Sequence, residues 1–202
     1  MTSGGMCYLG MQNTLSNGPC APTMPNDFLR DLFEWSFDRF LANEAENIAN
    51  GVSERNLCGR LALCLEQFKA PYGYGAYYAD VEYNRNQGRV KTILDDKMQV
   101  VPVTCDLILH SRGEIPDRDN LIAIEMKKVG ARAEEEHQDR VRLRALTKRS
   151  YDDIWSFDGV TLPEHVCGYA LGFFIIINPK DRCFKIEMFA KGEFIRDWFG
   201  RF

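Results

Sequence analysis

Long hydrophobic runs, clustered histidines and a strong positive charge are all missing from this sequence. No apolar run approaches the ~20 residues that a membrane-spanning helix needs, and the N-terminus has neither the basic start nor the apolar stretch of a signal peptide. The three histidines are widely spaced and form no zinc-ligand pattern with the cysteines. The net charge of −4 argues against a protein that coats nucleic acid with its whole surface, although it leaves room for a local basic groove.

The seven cysteines do not form a disulfide framework. Their number is odd, no two of them have the C-x-x-C spacing, and most lie within apolar stretches. Reduced thiols in a protein core are typical of the cytoplasm, whereas small secreted proteins carry paired cysteines. The sequence therefore predicts a cytoplasmic protein with free thiols and no membrane partner.

The 202 residues are enough for one domain with a sizeable core and too few for two. Residues 1–25 include no charged residue and many Gly, Asn, Ser, Thr and Pro. Such a composition rarely folds alone, so we expect a flexible N-terminal arm there. The remainder, 26–202, is expected to form a single domain.

The hydrophobic pattern predicts a mixed α/β domain. Apolar residues recur at helical spacing over 26–50, capped by Asn26 or Asp27, and over 53–69, capped by Ser53. A polar helix is predicted over 132–149 and a short one over 193–199. Runs rich in Val, Ile, Leu and aromatic residues predict strands over 76–83, 90–94, 100–110, 121–129, 167–178 and 182–190. This order indicates a central mixed β-sheet flanked by helices.

Two of the predicted strands carry charges where a buried strand should be apolar. Asp106 interrupts one strand, and Glu125 and Lys127 interrupt the next within Leu-Ile-Ala-Ile-Glu-Met-Lys-Lys-Val. An isolated buried charge is costly unless it is paired or binds a metal. Side chains alternate along a strand, so Glu125 and Lys127 share one face. Two carboxylates leave Mg²⁺ room for waters and a phosphate oxygen, so this pattern indicates a divalent-metal site for phosphodiester hydrolysis.

Asp106, the Glu125-Met126-Lys127 tripeptide and an upstream helical acid, Glu54, together resemble the PD-(D/E)XK nuclease superfamily. The resemblance covers about residues 53–149 and implies a restriction-endonuclease-like fold. It implies that Asp106 and Glu125 hold Mg²⁺, for which Mn²⁺ can substitute. It also implies that Lys127 orients or deprotonates the attacking water and that Glu54 is an accessory acid. Glu54 also lies in the first turn of a predicted helix, where the helix dipole alone favours an acid.

The helix after the Glu-x-Lys strand extends the resemblance through Gln138 and Arg142. Eight of the 25 basic residues lie between Lys127 and Arg149, and four acids offset half of them. A solvated, salt-bridged helix and a phosphate-contacting helix both explain that pattern. The contacts expected with nucleic acid, with DNA as the favoured substrate, are Lys128, Arg132, Gln138 and Arg142. Cleavage of both strands of a duplex would require a homodimer.

The sequence leaves alternatives at two points. The family's aspartate often follows proline, and Pro116-Asp117 matches that literally, whereas Cys105 precedes Asp106. We favour Asp106 because it interrupts an apolar strand and Asp117 lies in a polar turn. A nuclease-like fold that no longer cuts, serving as a nucleic-acid-binding or protein-interaction module, is the second functional hypothesis. A third is that the strand charges merely pair, Lys127 or Lys128 with Glu125 or Asp106, in an ordinary α/β protein.

Overall fold

The computed structural model describes residues 26–83, 105–149 and 167–202 with their side chains, and four short strands between 85 and 102 by their backbone. The arm predicted for 1–25 lies outside the described residues. The described helices are α1 (Asn26–Ala49), α2 (Glu54–Phe68) and α3 (Ala133–Thr147), with a 3-10 turn at Pro116–Arg118. The strands are β1 (Tyr78–Val81), β2 (Arg85–Asn86), β3 (Arg89–Val90), β4 (Thr92–Leu94), β5 (Val100–Pro102), β6 (Leu107–His110), β7 (Asn120–Lys128), β8 (Leu171–Asn178), β9 (Cys183–Ala190) and β10 (Glu193–Arg201).

The first two helices begin and end where their sequence signals indicate. Gly51 follows α1 with a φ of 78°, a conformation that glycine adopts without strain, and its N–H donates to the Ile48 carbonyl at 3.0 Å. Ser53 caps α2, because its hydroxyl accepts a hydrogen bond from the Asn56 N–H at 3.3 Å. Both predicted helices are therefore confirmed. No helix in the described part of the chain is long and apolar enough to cross a membrane.

Six of the strands form one mixed sheet in the order β1-β6-β7-β8-β9-β10. Strands β7 and β8 run parallel, joined through α3, and every other neighbouring pair in this sheet is antiparallel. The strands β2 with β3 and β4 with β5 form two separate two-stranded ladders. The predicted α/β class with a central mixed sheet is confirmed.

Helices cover both faces of the sheet, and β7 contributes a side chain to each face in turn. Ile122, Ile124 and Met126 of β7 belong to the core that also contains the apolar residues of α1 and α2. Ala123 belongs to a second core with Leu143 and other residues of α3. By this alternation Glu125 and Lys127 lie on the face covered by α3.

Two of the predicted elements need correction. The helix predicted over 193–199 is wrong, because this segment is β10, paired antiparallel with β9. Lys191 and Gly192 join the two strands with φ values of 56° and 82°, the conformation of a tight two-residue hairpin turn. The strand predicted over 100–110 is also wrong as one element. It divides into β5, which pairs with β4, and β6, which pairs with β1 and β7.

Candidate active site

Asp106 lies directly before β6 and beside Glu125. The β6–β7 ladder pairs Leu107 with Ile124, so one further step along both strands brings Asp106 opposite Glu125. The Oδ2 atom of Asp106 accepts a hydrogen bond from the Met126 N–H at 2.9 Å, beyond the end of the ladder. This bond fixes the aspartate carboxylate at the end of the β6–β7 pair and joins it to β7, the strand that carries the Glu-x-Lys sequence.

Glu125 is completely buried, and only one of its two carboxylate oxygens has a partner. Its Oε1 accepts a hydrogen bond from Arg142 Nη1 at 2.6 Å, whereas its Oε2 is buried with no hydrogen-bond partner among the described residues. Burial raises the pKa of Glu125 to about 8, because the lowering by Arg142 is outweighed and Asp106 and Asp139 raise it further. A buried polar atom without a partner costs about 1–3 kcal/mol, so this oxygen is a candidate position for a ligand.

Asp139 of α3 links the two cations of the site. It is 4% exposed, and its two carboxylate oxygens each lie 3.1 Å from a cationic nitrogen, Oδ1 from Arg142 Nη1 and Oδ2 from Lys127 Nζ. Burial lowers the pKa of Lys127, but Asp106 and Asp139 act more strongly in the opposite direction, so the pKa is raised and the ammonium stays charged. Glu125, Arg142, Asp139 and Lys127 thus form one chain of ion pairs between β7 and α3, and Asp106 lies close enough to raise the pKa of both Glu125 and Lys127.

Glu54 reaches the site from the opposite side of the sheet. It is the first residue of α2, and its Oε1 accepts a hydrogen bond from the Lys128 N–H at 2.8 Å. The Lys128 ammonium in turn donates to the carbonyl of Gly51 at 3.0 Å, in the turn between α1 and α2. These two bonds attach the start of α2 to the last residue of β7.

A polar cleft of about 590 Å³ opens at this end of the sheet. Its lining includes Glu135 and Asp139. It also includes five of the residues that the sequence predicted to act in catalysis or binding: Glu54, Lys127, Lys128, Gln138 and Arg142. Asp106, Glu125 and Arg132 are not part of this lining. Arg132 is 82% exposed and donates through Nε to Glu135 at 2.9 Å, and Gln138 donates to Glu134 at 3.3 Å. The structure thus gathers seven of the eight predicted residues at one end of β7 and leaves Arg132 on the outer surface.

Asp139 is the residue that sequence reasoning missed. From the sequence, Asp139 is expected only to be one of the acids that offset the basic residues of its helix. It lies four residues before Leu143 and seven before Leu146, both buried in the core beneath α3. That spacing places Asp139 on the inward face of the helix and was the available signal.

The alternative aspartate lies elsewhere. Asp117 is exposed on the 3-10 turn that precedes β7, whereas Glu125 lies near the other end of that strand. The pairing expected of the strand charges also differs from the observed one. Lys127 pairs with Asp139, and Glu125 pairs with Arg142, so both partners come from α3 rather than from the strands.

Comparison with protein-family models, with curated proteins and with solved structures finds no match to this chain. The resemblance to the PD-(D/E)XK superfamily therefore depends on residues of this chain alone. The described residues include no group of three or more His, Cys, Asp or Glu side chains placed to share a metal ion. Mg²⁺ is commonly held by one or two carboxylates with water completing its shell, and Asp106 with the unpaired Oε2 of Glu125 fits that requirement.

Proposed function

We propose that this protein is a Mg²⁺-dependent nuclease of the PD-(D/E)XK type that hydrolyses phosphodiester bonds, with DNA as the favoured substrate. The observation that carries the proposal is the buried, unpaired Oε2 of Glu125 beside Asp106 at the end of the β6–β7 pair. A buried carboxyl oxygen without a partner is a candidate ligand position once the group is ionised, and the hard oxygen donors of two carboxylates suit Mg²⁺ or Mn²⁺. Bound there, the ion would lower the pKa of water and stabilise negative charge on the phosphate.

The charge of the cleft supports a need for the cation. Its lining contains three acids, Glu54, Glu135 and Asp139, and three bases, Lys127, Lys128 and Arg142. The lining itself therefore offers no excess positive charge to a polyanionic substrate. A divalent cation held by Asp106 and Glu125, next to the cleft residue Arg142, would change that balance in favour of phosphate. We accordingly expect nucleic-acid binding in the cleft, as well as cleavage, to depend on the metal.

The protein side chains then have separate tasks. Lys127 lines the cleft, and its pKa is raised, so its ammonium can donate to the phosphate or orient a nucleophilic water. Asp139 holds this ammonium at 3.1 Å and limits its motion. Lys128 and Gln138 lie on the same lining, and in this proposal they contact the substrate backbone. Glu54 fixes the backbone of Lys128 and acts as an accessory acid.

One observation favours a second candidate function. Arg142 already supplies a positive charge to Glu125 Oε1 at 2.6 Å, so the glutamate has an internal cation in place of a metal. A chain in which that pair is permanent would be a nuclease-like module that binds nucleic acid or another protein without cutting. The two candidates differ in cleavage and share the fold.

The deciding experiment incubates the purified protein with supercoiled plasmid, single-stranded DNA and RNA in Mg²⁺, Mn²⁺ or EDTA. We expect cleavage with either ion and none with EDTA. Asp106→Ala and Lys127→Ala should each lower the rate by at least a hundredfold, because each removes a group that acts on the metal or the phosphate. Asp117→Ala is the matched control and should keep the full rate. Metal-independent binding with no cleavage of any substrate would select the second candidate.

A further inference from the structure

Arg55, an exposed arginine of α2, lies beside the proposed metal site without belonging to the lining of the cleft. It directly follows Glu54, which lines the cleft, and its side chain is 73% exposed. Its Nε donates to Oε1 of Glu82 at 2.6 Å, and its Nη2 donates to Oε2 of the same carboxylate. Two parallel bonds of this kind fix the plane and the direction of the guanidinium. Nη1 has no hydrogen-bond partner among the described residues.

Glu82 holds this arginine next to Asp106. The β1–β6 ladder pairs Val81 with Leu107, and one step further along the strands the Glu82 N–H donates to the Asp106 carbonyl at 3.1 Å. Residues directly opposite each other in an antiparallel ladder have Cα atoms about 4.5–5.5 Å apart. The guanidinium of Arg55 is therefore one side chain away from a proposed metal ligand. A phosphate bound to it would be a neighbour of the phosphate at the metal, not the same phosphate.

Neither member of this pair lies where the stability of the fold would favour it. Arg55 is in the first turn of α2, where the helix dipole favours an anion and disfavours a cation. Glu82 has a φ of 50°, in the left-handed region that residues other than glycine rarely adopt. An ion pair between exposed side chains stabilises a fold little. Strained residues cluster at functional sites, so a ligand explains the pair better than the fold does.

The ion pair leaves Arg55 able to bind an anion. The pair has no net charge, but a guanidinium has five N–H donors, and Glu82 accepts only one from Nε and one from Nη2. The two donors of Nη1 remain, and the nearby start of α2 adds the positive end of a helix dipole. A nucleic acid with one phosphate at the metal brings further phosphates beside it. Phosphate is thus the anion that fits this position.

We propose that Arg55 binds the phosphate next to the scissile one, so that the site takes a polynucleotide strand in preference to an isolated phosphodiester. Glu82 is the positioning residue for its guanidinium. This inference rests on the proposed nuclease function, because it takes a metal at Asp106 as the position of the scissile phosphate. Arg55 lies away from that metal, so it contributes to substrate binding and not to bond cleavage. Its loss should raise KM and change kcat little.

The test compares a substrate that has many phosphates with one that has a single phosphate. Cleavage of a DNA strand and of bis(4-nitrophenyl) phosphate is measured for the full chain in Mg²⁺ and in Mn²⁺. Arg55→Ala should raise KM for the DNA about fivefold or more, and lower kcat/KM for the small diester much less than for the DNA. Arg55→Lys keeps the charge without the fork and should give intermediate values. Arg144→Ala, the matched control, removes an exposed arginine paired with a glutamate in the last turn of α3, and should match the wild type.

Binding of the same DNA strand gives a readout that needs no cleavage. Fluorescence anisotropy is measured at several salt concentrations in the Lys127→Ala background, in which cleavage should be slow. Each phosphate contact with a single strand contributes about 0.7 to the slope of log K against log salt concentration, so adding Arg55→Ala should lower the slope by about that amount. Circular dichroism should show the wild-type melting temperature for Arg55→Ala, because the ion pair is exposed.

The outcomes separate this inference from the nuclease function. Cleavage by the wild type with the same KM and the same salt slope in Arg55→Ala would overturn the role of Arg55 alone. An equal loss on the DNA and on the small diester would also overturn it, because Arg55 would then act at the metal or on the fold. Binding without cleavage would end the nuclease function, while the salt slope would still decide whether Arg55 contacts a phosphate. A protein that neither binds nor cleaves DNA would overturn both.

Discussion

Metal binding at the Asp106–Glu125 pair should release a proton, in an amount that depends on pH. The pKa of buried Glu125 is raised to about 8, whereas a metal ligand must be ionised. In the metal-free protein Glu125 therefore carries its proton at neutral pH. If Glu125 is a metal ligand, as we propose, Mg²⁺ must displace that proton, and the apparent affinity for the metal should fall as pH falls below 8.

The magnitude follows from the titration of one group. With a pKa of about 8, Glu125 is protonated to about 0.9 at pH 7 and to about 0.1 at pH 9. Binding of one Mg²⁺ should thus release about 0.9 proton at pH 7 and about 0.1 at pH 9. The apparent dissociation constant should rise about tenfold for each pH unit below 8, and it should level off above that value.

Isothermal titration calorimetry measures both quantities. Titrating Mg²⁺ or Mn²⁺ in two buffers with different ionisation enthalpies gives the number of protons released, and repeating this between pH 6 and 9 gives the dependence of affinity. Glu125→Gln keeps the shape of the side chain but cannot ionise, so it should lose both the affinity and the proton release. Asp117→Asn is the control and should behave as the wild type.

Two outcomes would refute this reasoning. A metal affinity that stays constant from pH 6 to 9 would mean that Glu125 is already ionised or is not a ligand. Proton release of the same size in Glu125→Gln would assign the linkage to another group. Either result would remove the main support for a metal site on β7.

Three further predictions concern stability and positioning. The folded-state pKa of Glu125 lies above its ordinary value of 4.5, so without metal the free energy of unfolding should fall by a few kcal/mol between pH 4.5 and 8. Glu125→Gln should therefore have a higher melting temperature than the wild type at pH 9 and the same melting temperature at pH 4. A difference in melting temperature of the same size at both pH values would contradict this. Asp139→Asn should lower the cleavage rate at least tenfold and weaken metal binding less than Glu125→Gln does, because it releases Lys127 and Arg142 without removing a metal ligand. Unchanged cleavage kinetics would show that Asp139 has no positioning role. Gly200→Ala should lower the free energy of unfolding by about 1–3 kcal/mol, because the added Cβ would lie 2.6 Å from Phe184 Cε1. Gly59→Ala within α2 adds a Cβ with nothing within 4 Å, so it should raise the free energy of unfolding by up to about 1 kcal/mol. Urea unfolding measures both changes.

Much of the fold could be predicted because its elements carry local signals. The apolar run of β7 is bounded by polar residues, and Ser53 and Gly51 mark helix ends by their own chemistry. The segment 193–199 could not be predicted in this way, because Phe194, Ile195, Trp198 and Phe199 fit a helical stripe as well as a strand. What decides its structure is the hairpin at Lys191 and Gly192 and the free edge of β9, which is tertiary information.

The candidate site, like the fold, could be predicted from the sequence only in part. The anomalous charges of Asp106, Glu125 and Lys127 stand out against apolar strands and can be found from the sequence alone. Their ion pairs cannot be assigned in this way, because Arg142 and Asp139 reach them only after α3 crosses back over the sheet between the parallel strands β7 and β8, although spacing alone places Asp139 on the inward face of that helix. No rule of spacing relates a glutamate to an arginine 17 residues later, on a different kind of element.

The central place of β7 has a consequence for how the protein moves. This strand has hydrogen-bonded neighbours on both sides, and its residues from Leu121 to Met126 are all buried. Its amide hydrogens should exchange with deuterated water only when the whole domain opens, whereas those at exposed β10 should exchange through local fraying. Glu125 and Lys127 thus lie on the strand that should exchange most slowly, and the Glu-x-Lys segment should remain ordered until the domain as a whole unfolds.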